Sequence, residues 1–385
     1  MILKEKRRIQ MFFPFMALAV VIILPGAVYF LIHFKNLSFI QNFSRYSWLP
    51  WIIATLLTLI CAYMVYFVFS ISAAIILFLF FSFIITDLTN LFFKKYIKRE
   101  MAHKVWTSLY RSGISALAVT VVFIVISYYV ALNVVTTNYN LNTNKILSSQ
   151  PLKISMVSDI HLGTAVTIDN LRKYCDKIQA SNPDIVVLTG DIFDENTPKG
   201  NMEAACKMLG QIKSTYGIYY VFGNHEQGIH GNIPYFTIND VADNLAANKI
   251  IVLEDKLELV NSKFYIVGRK DASLSHNANR KPPKELLQVV DKSKFILLLD
   301  HQPLDFENAS QNGVDLQLSG HTHGGQIWPT GMLTDIFNPA GLNYGYKSIG
   351  SYQVIISSGM GAWNYPLRLG SKAEIVQISV QGRTP

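Results

Sequence analysis

Residues 9–34, 46–86 and 112–144 contain no Asp, Glu, Lys or Arg, and that absence constrains the fold more than any motif. A helix rises 1.5 Å per residue, so about 20 apolar residues cross the roughly 30 Å hydrocarbon core of a bilayer. The first and third stretches each supply one such run, around Phe12–Phe34 and Gly113–Val135. The second continues apolar to Phe93 and is long enough for two, roughly Trp48–Phe69 and Ile71–Phe93, with Ser70 and Ser72 at the turn between them. Four transmembrane helices are expected. Lys4–Arg8 resembles the basic start of a secretory signal, but the run behind it is too long for a signal core and further spans follow.

Charge divides the chain in the same place. Of 385 residues only 16% are charged, below the quarter usual in a soluble domain, and the formal net charge is +8. Residues 1–150 hold 13 basic and 3 acidic side chains, net +10, whereas residues 151–385 hold 21 and 23, net −2. The basic excess sits beside apolar runs, in Lys4–Arg8 and Lys94–Arg111, as membrane-flanking charge does. A nucleic-acid partner is therefore not expected, and a lipid bilayer is. The two basic clusters give opposite orientations. Lys94–Arg111 carries more charge and abuts the last span, whose far side is the neutral segment Asn133–Asn144, so the C-terminal part is expected outside the cytoplasm. Three cysteines, Cys61, Cys175 and Cys206, are too few for a disulfide scaffold or a thiolate zinc site.

From Pro151 onward, short β-branched runs alternate with helical patterns. Leu152–Ser158, Asp184–Thr189, Gly217–Phe222 and Phe295–Leu299 read as buried strands. Leu171, Tyr174, Cys175 and Ile178 recur at helical spacing, as do Met202, Ala205, Leu209 and Ile212, which places Cys175 and Cys206 in a core. Lys256–Val267 and Tyr352–Val380 look like strands and turns. The fold class is α/β, with a transmembrane helical domain over residues 1–136, an Asn/Thr-rich linker over 137–150 and a globular domain over 151–385.

Ligands of open α/β sheets gather at the carboxyl edges of the strands. Five motifs fall there: Asp159-Ile160-His161, Gly190-Asp191, Gly223-Asn224-His225-Glu226, Asp300-His301 and Gly320-His321-Thr322-His323-Gly324-Gly325. They collect five of the nine histidines with carboxylates and an asparagine, and no thiolate. Extended backbone would aim the two side chains of Asp-x-His and of His-x-His the same way, toward one ion. Eight candidate groups exceed the needs of one tetrahedral ion, whereas two ions sharing a carboxylate would use them all; such a pair clamps the attacking and leaving oxygens at phosphorus. Single residues are weak signals, but two histidines among three glycines serve packing poorly. His33, His103, His230 and His276 read as non-ligands, and Asp194 and Glu226 as residues that orient ligands or shape turns.

The ordered set resembles the calcineurin-like metallophosphoesterase superfamily, whose motifs run D-x-H, G-D, G-N-H-[DE], H and G-H-x-H. The segment Gly320–Gln326 (GHTHGGQ) is similar to a branch of membrane-anchored bacterial enzymes, some of which hydrolyse lipid-linked nucleotide diphosphates. The resemblance covers roughly residues 151–380 and implies an α/β sandwich with two mixed sheets. Glu226 stands where Asp is commoner, and Gly361–Leu369 follows the family's Arg-containing tail only in part. Carried over, it implies one divalent metal on Asp159, His161, Asp191 and His323 and a second on Asn224, His301, His321 and the bridging Asp191. Mn, Fe, Zn or Ni would all suit imidazole and carboxylate ligands. A metal-bridging hydroxide would attack phosphorus in line, His225 would assist the leaving oxygen, and Arg368 would meet the substrate phosphate, a surface salt bridge being the alternative for that residue.

The expected function is a multi-pass enzyme of the bacterial inner membrane that hydrolyses a phosphodiester or pyrophosphate in a small-molecule or lipid substrate. The competing class is a catalytically silent membrane sensor or metal-binding module that retains the fold; the complete set of ligands argues against it. Trp328, Trp363 and Tyr365 are candidates either for a substrate rim or for core.

Overall fold

The computed structural model describes residues 25–42, 46–67, 71–227, 235–273, 280–337 and 341–384. It divides into two compact units, Met1–Ile126 and Ser127–Pro385.

In the first unit, residues 25–36 form α1, followed by α2 (Ser38–Asn42), α3 (Leu49–Phe67), α4 (Ile71–Tyr96) and α5 (Glu100–Ser112). Helix α6 (Ile114–Leu132) begins there and ends in the second unit. Phe30, Phe34, Ile40, Ala54, Phe83 and Ala116 make a buried apolar cluster. Asp87 lies on α4 and has three donors around it: the hydroxyls of Tyr29 and Tyr110 at 2.7 and 2.8 Å, and His33 Nε2 at 3.0 Å. Even partial burial of a carboxylate requires such partners, and two neighbouring helices, α1 and α5, supply them.

Among the described residues two helices, α4 and α6, are long and apolar enough to cross a membrane, where the sequence suggested four. Helix α3, read as the second span, is an apolar helix over Leu49–Phe67 whose described side chains end at Met64. The first expected span begins in residues 12–24, outside the described residues, as does the turn at 68–70. The basic stretch 94–111, read as a loop, is in large part helical: Glu100–Ser112 winds into α5 and stops at Gly113, whose φ of 78° is a left-handed cap.

The second unit is a four-layer sandwich. One sheet has the order β1-β12-β2-β3-β4-β5, from strands Val135–Ile146 (β1), Leu152–Val157 (β2), Ile185–Thr189 (β3), Ile218–Val221 (β4), Ile250–Val252 (β5) and Glu374–Arg383 (β12). The other runs β10-β11-β9-β8-β7-β6, from Lys256–Val260 (β6), Phe264–Gly268 (β7), Phe295–Leu299 (β8), Leu316–Ser319 (β9), Gly345–Ile349 (β10) and Tyr352–Ile356 (β11). Both are mixed: β2 to β5 are parallel with β12 antiparallel to β2, and β7, β8, β9 and β11 are parallel with β6 and β10 antiparallel at the rims.

Alternation along each strand decides which layer receives each side chain. Ile185 and Val187 join Phe295, Leu297 and Leu299 in the core between the sheets. Val186 and Leu188 face the opposite way, onto α7 (Ile168–Ala180), α8 (Lys199–Gly210) and α9 (Ile238–Ala247). Ile296 and Leu298 pack beneath α10 (Pro283–Leu286) and α11 (Phe306–Gln311). Both sheets are thus covered on both faces, which is why their strands read as continuous apolar runs. Cys175 and Cys206 lie buried in the α7–α9 layer.

The Asn/Thr-rich segment read as a linker is instead the strand β1, paired in parallel with β12 from Val135↔Glu374 onward. At the sheet edge most of its outward side chains meet solvent, so Thr and Asn suffice there, while Leu141 turns inward to the inter-sheet core. A strand and a linker respond differently to mutation. Leu141→Ala is expected to destabilise the second unit by about 2–4 kcal/mol and Asn140→Ala by less than about 0.5 kcal/mol, read from thermal or denaturant unfolding; equal, negligible effects would remove β1 from the folded sheet.

Candidate metal centre

Each candidate ligand stands just beyond the carboxyl end of a strand: Asp159 and His161 after β2, Asp191 after β3, Asn224 and His225 after β4, His301 after β8, and His321 and His323 after β9. The two sheets therefore contribute to one edge, and all eight side chains meet there. Asp159, His161, Asp191 and His301 are at most 1% exposed.

The backbone that aims them is not extended. Asp159, His161, Asp191, His321 and His323 have φ between 44° and 73°, the left-handed region that costs a non-glycine residue roughly 1–2 kcal/mol. The pairs Asp159/His161 and His321/His323 thus converge through left-handed turns, not through the in-line alternation expected of strand. Chain fragments cross closely at these turns. A Cβ on Gly320 would lie 1.8 Å from Ser158 Oγ and 2.3 Å from Asp159 Oδ2, and one on Gly223 would lie 2.2 Å from Asp191 Oδ1.

His301 shows what the arrangement lacks. Its Nδ1 lies 2.8 Å from the Thr189 carbonyl, which makes Nδ1 the protonated nitrogen. Its Nε2 then faces Asp191 Oδ2 (3.1 Å), Asn224 Oδ1 (3.2 Å) and His321 Nδ1 (3.3 Å). On the other side, His161 Nε2 and His323 Nε2 are 3.2 Å apart, with Asp159 Oδ1 3.6 Å from the latter and Asp191 Oδ2 3.9 Å from the former. Ligand atoms of Asp159, His161 and His323 lie within 4.8 Å of one another, as do those of Asp191, His301 and His321 and those of His161, Asp191 and His225. Imidazole and carboxylate atoms converging this closely fit cations, and adjacent clusters linked through Asp191 fit two.

Protonation follows the same geometry. Burial and the neighbouring His301 lower His321 to about 4, and burial with His161 and Arg368 holds His323 well below the ordinary histidine value, so both present neutral nitrogens. Burial opposes charge on His301, yet Asp191 at 3.1 Å carries its pKa well above the usual value; a cation between them would take over that proton's role. Burial likewise opposes Asp191 ionisation, and His301 outweighs it, holding the carboxyl well below the usual range.

A second layer holds these groups in place. Glu226 accepts the backbone N–H groups of Asp191 (3.1 Å), Ile192 (2.6 Å), Phe193 (3.2 Å) and Gly223 (2.9 Å) and the Tyr220 hydroxyl (2.6 Å), binding the Gly-Asp and Gly-Asn loops together. Asp194 Oδ2 stands 3.4 Å from His161 Nδ1. Ser158 hydrogen-bonds the Asp159 carboxylate, which also accepts His321 N–H.

Two residues depart from the sequence reading. Arg368, expected at the substrate phosphate or in a surface salt bridge, is fully buried. Its guanidinium donates to the carbonyls of His323 (3.2 Å) and Lys372 (3.0 Å) and to Ser371 Oγ (2.9 Å), and Nη2 is 3.4 Å from His323 Nδ1, so it braces a candidate ligand from behind. Glu195, which the sequence reading passed over, lies 5% exposed with Oε2 3.0 Å from His225 Nδ1. Burial works against charge on His225, but the Glu195 hydrogen bond and Asp191 raise its pKa and favour the imidazolium. The available signal was a third carboxylate in the short run Asp191–Glu195 at a strand edge. Trp363 is 5.8 Å from the His225 ring, Trp328 is 44% exposed and Tyr365 is partly buried. Of the four histidines set aside, His33 pairs with Asp87 and His103 bonds the Ile97 carbonyl, whereas His230 and His276 lie outside the described residues.

A four-layer sandwich with a carboxylate-bridged imidazole and oxygen cluster at its strand edge defines the class of binuclear metallohydrolases. Residues 152–325 match the calcineurin-like phosphoesterase family. The chain is 35% identical over 236 residues to a metallophosphoesterase of Campylobacter jejuni, covering 60% of each chain. It is 32% identical over 251 residues to a metallophosphoesterase of Aquifex aeolicus, covering 64% of this chain and 91% of that one. A transmembrane protein with a metallophosphoesterase domain from Bos taurus is 31% identical over 254 residues, covering 61% and 54%. The chain belongs to the calcineurin-like phosphoesterase family; it spans about 60% of the length of the bacterial relatives from Campylobacter and Helicobacter pylori.

Gly320→Ala is expected to displace Ser158 and Asp159 and to lower the metal content of purified protein by at least half while leaving the far-ultraviolet dichroism unchanged. Wild-type metal content in that variant would show that the close approach at Gly320 does not shape the site.

Proposed function

We propose that the protein is a membrane-anchored, two-metal phosphoesterase acting on a phosphodiester or pyrophosphate bond, with a lipid-linked or nucleotide-activated lipid as the substrate class. The observation that carries the reading is the buried convergence of imidazole, carboxylate and amide oxygen around His301 and Asp191, with a protonatable His225 beside it. Asp159, His161, Asp191 and His323 would hold one divalent ion, and Asn224, His301, His321 and Asp191 the other. When bound, the pair supplies positive charge that polarises the phosphoryl oxygens and lowers the pKa of the attacking water.

The chain's own residues complete the reaction. Asn224 contributes a neutral oxygen, so the cluster keeps net positive charge for an anionic substrate. His225, held at Nδ1 by Glu195, delivers a proton from Nε2 to the departing oxygen. Trp363, beside the His225 ring, gives the approach to the site an apolar side. A catalytic domain that takes in β1, placement in a bacterial inner membrane and an extracytoplasmic catalytic domain extend the same reading. Helices α4 and α6 support membrane anchoring, and tethering favours a substrate at the bilayer.

Metal analysis and hydrolysis of aryl phosphodiester, monoester and pyrophosphate substrates test this directly. Wild type is expected to hold about two ions and turn over one of these substrates; bound metal without turnover on any of them would refute the enzyme. Asp191→Asn should lose both metal and activity. His225→Ala should keep its metal and lose about 10²–10⁴-fold in kcat, and metal loss in that variant would instead make His225 a ligand. Glu195→Gln should keep metal and KM, lower kcat about tenfold or more, and narrow the pH profile on its alkaline side, because the imidazolium it stabilises would deprotonate earlier; an unchanged profile would leave Glu195 structural. A reporter fused at the C-terminus should be active only outside the cytoplasm.

A further inference from the structure

We propose that the groove formed by Ser38 and helix α5 binds the phosphate of an anionic phospholipid headgroup. The proposal rests on the reading that α4 and α6 cross a bilayer. Helix α5 connects them, with one short segment after Tyr96 and Gly113 alone before Ile114, so it lies on the side of the bilayer where α4 ends and α6 begins.

Three faces of α5 have three different environments. The inner face is fixed to α4: Trp106 stacks on Phe93 with ring centroids 4.8 Å apart and donates Nε1–H to Asn90 Oδ1 at 3.2 Å, and Tyr110 donates to Asp87. A second face carries Met101, Val105 and Leu109 at i, i+4 and i+8, exposed by 76%, 55% and 37%. The third carries Lys104, Thr107, Ser108 and Arg111 at i, i+3, i+4 and i+7. With Ser38 and His103 these line a surface groove of about 480 Å³. In water the apolar stripe would be exposed without compensation. At the boundary between headgroups and acyl chains the stripe enters the apolar region and the adjoining cations meet phosphate.

The groove's chemistry selects an anion. An ammonium, a guanidinium and three hydroxyls all donate, and Lys94, Lys95, Lys98 and Arg99 just before α5 raise the local potential. The helix has one acidic residue, Glu100, paired with Lys104 at 2.7 Å. Both partners are mostly exposed, so the pair is weak and yields to a phosphate. Donors beside an apolar stripe match an amphiphile's phosphate, whereas free inorganic phosphate would leave the stripe without a partner.

The test uses the full chain in detergent, titrated with phosphatidylglycerol or phosphatidylcholine and read by native mass spectrometry. Wild type should retain phosphatidylglycerol preferentially. The Lys104→Gln/Arg111→Gln double variant should bind it on the order of tenfold more weakly with phosphatidylcholine unchanged, while Glu100→Gln, which releases Lys104, should bind it more tightly. Hydrolysis of a soluble aryl phosphate should match wild type in both variants, which checks folding. Equal phosphatidylglycerol retention in the double variant, or no lipid preference in wild type, overturns the proposal. Displacement of the lipid by inorganic phosphate overturns the lipid in favour of the free anion. Release of the chain from proteoliposomes by alkaline carbonate would instead overturn the membrane reading beneath it.

Discussion

Asp191 Oδ2, Asn224 Oδ1 and His321 Nδ1 all crowd within about 3.3 Å of His301 Nε2. Such a convergence of lone pairs repels itself unless a proton or a cation enters it, and most of the second unit is arranged to maintain it. The sheets meet so that the carboxyl ends of five strands open on one edge. Glu226 fastens two of the loops through four backbone N–H groups, and Arg368 braces a third from behind His323. Left-handed backbone at five ligand positions is held by covered sheets whose inward residues are almost fully buried. Strain of this kind persists only where surrounding packing determines it, and here it lies at the residues that would hold metal.

Part of this architecture was legible because it follows from periodicity. Buried parallel strands read as short apolar runs, helices recur at i, i+3 and i+4, and polar residues collect where each run stops; Asp159, Asp191, Asn224, His301 and the His321/His323 pair follow from those rules alone. What escaped depends on the third dimension. Strand β1 looks like a linker because an edge strand facing solvent can be built from Thr and Asn, and its inward apolar residues Tyr139 and Leu141 are too few to reveal a period of two. The left-handed turns at Asp159 and His321 are set by neighbours distant in sequence, Ser158 against Gly320 among them. Arg368 has the residue type of a phosphate contact, and only its burial among carbonyls shows that its donors are already spent. Glu195 gains its role from a histidine thirty positions away.

The membrane-flanking part shows the same limit in another form. A charge-free run announces an apolar environment but not the partners of the few polar groups within it. Asp87 interrupts such a run, and alone it suggests either a helix end or an ion path. In the structure Tyr29, Tyr110 and His33 surround it, so the carboxylate joins α4 to α1 and α5, and interhelical hydrogen bonding explains it without an ion. Likewise the basic stretch before α6 reads as loop charge until α5 sorts it by face, with aromatic residues inward and cations and methionine outward.

Charge therefore has two separate uses in one chain. The excess of Lys and Arg lies with the apolar helices, where a bilayer's phosphates are the available counter-charge. The second unit is slightly acidic and places its buried arginines against its own groups: Arg368 on carbonyls, Arg269 and Arg280 on Asp300. A site that must attract a phosphate ester while exposing so few cations needs its positive charge from elsewhere, and the imidazole and carboxylate cluster is the one feature at the strand edge built to supply it. Removing that charge would leave Asp159 and Asp191 facing an anionic substrate, so binding as well as rate should depend on metal.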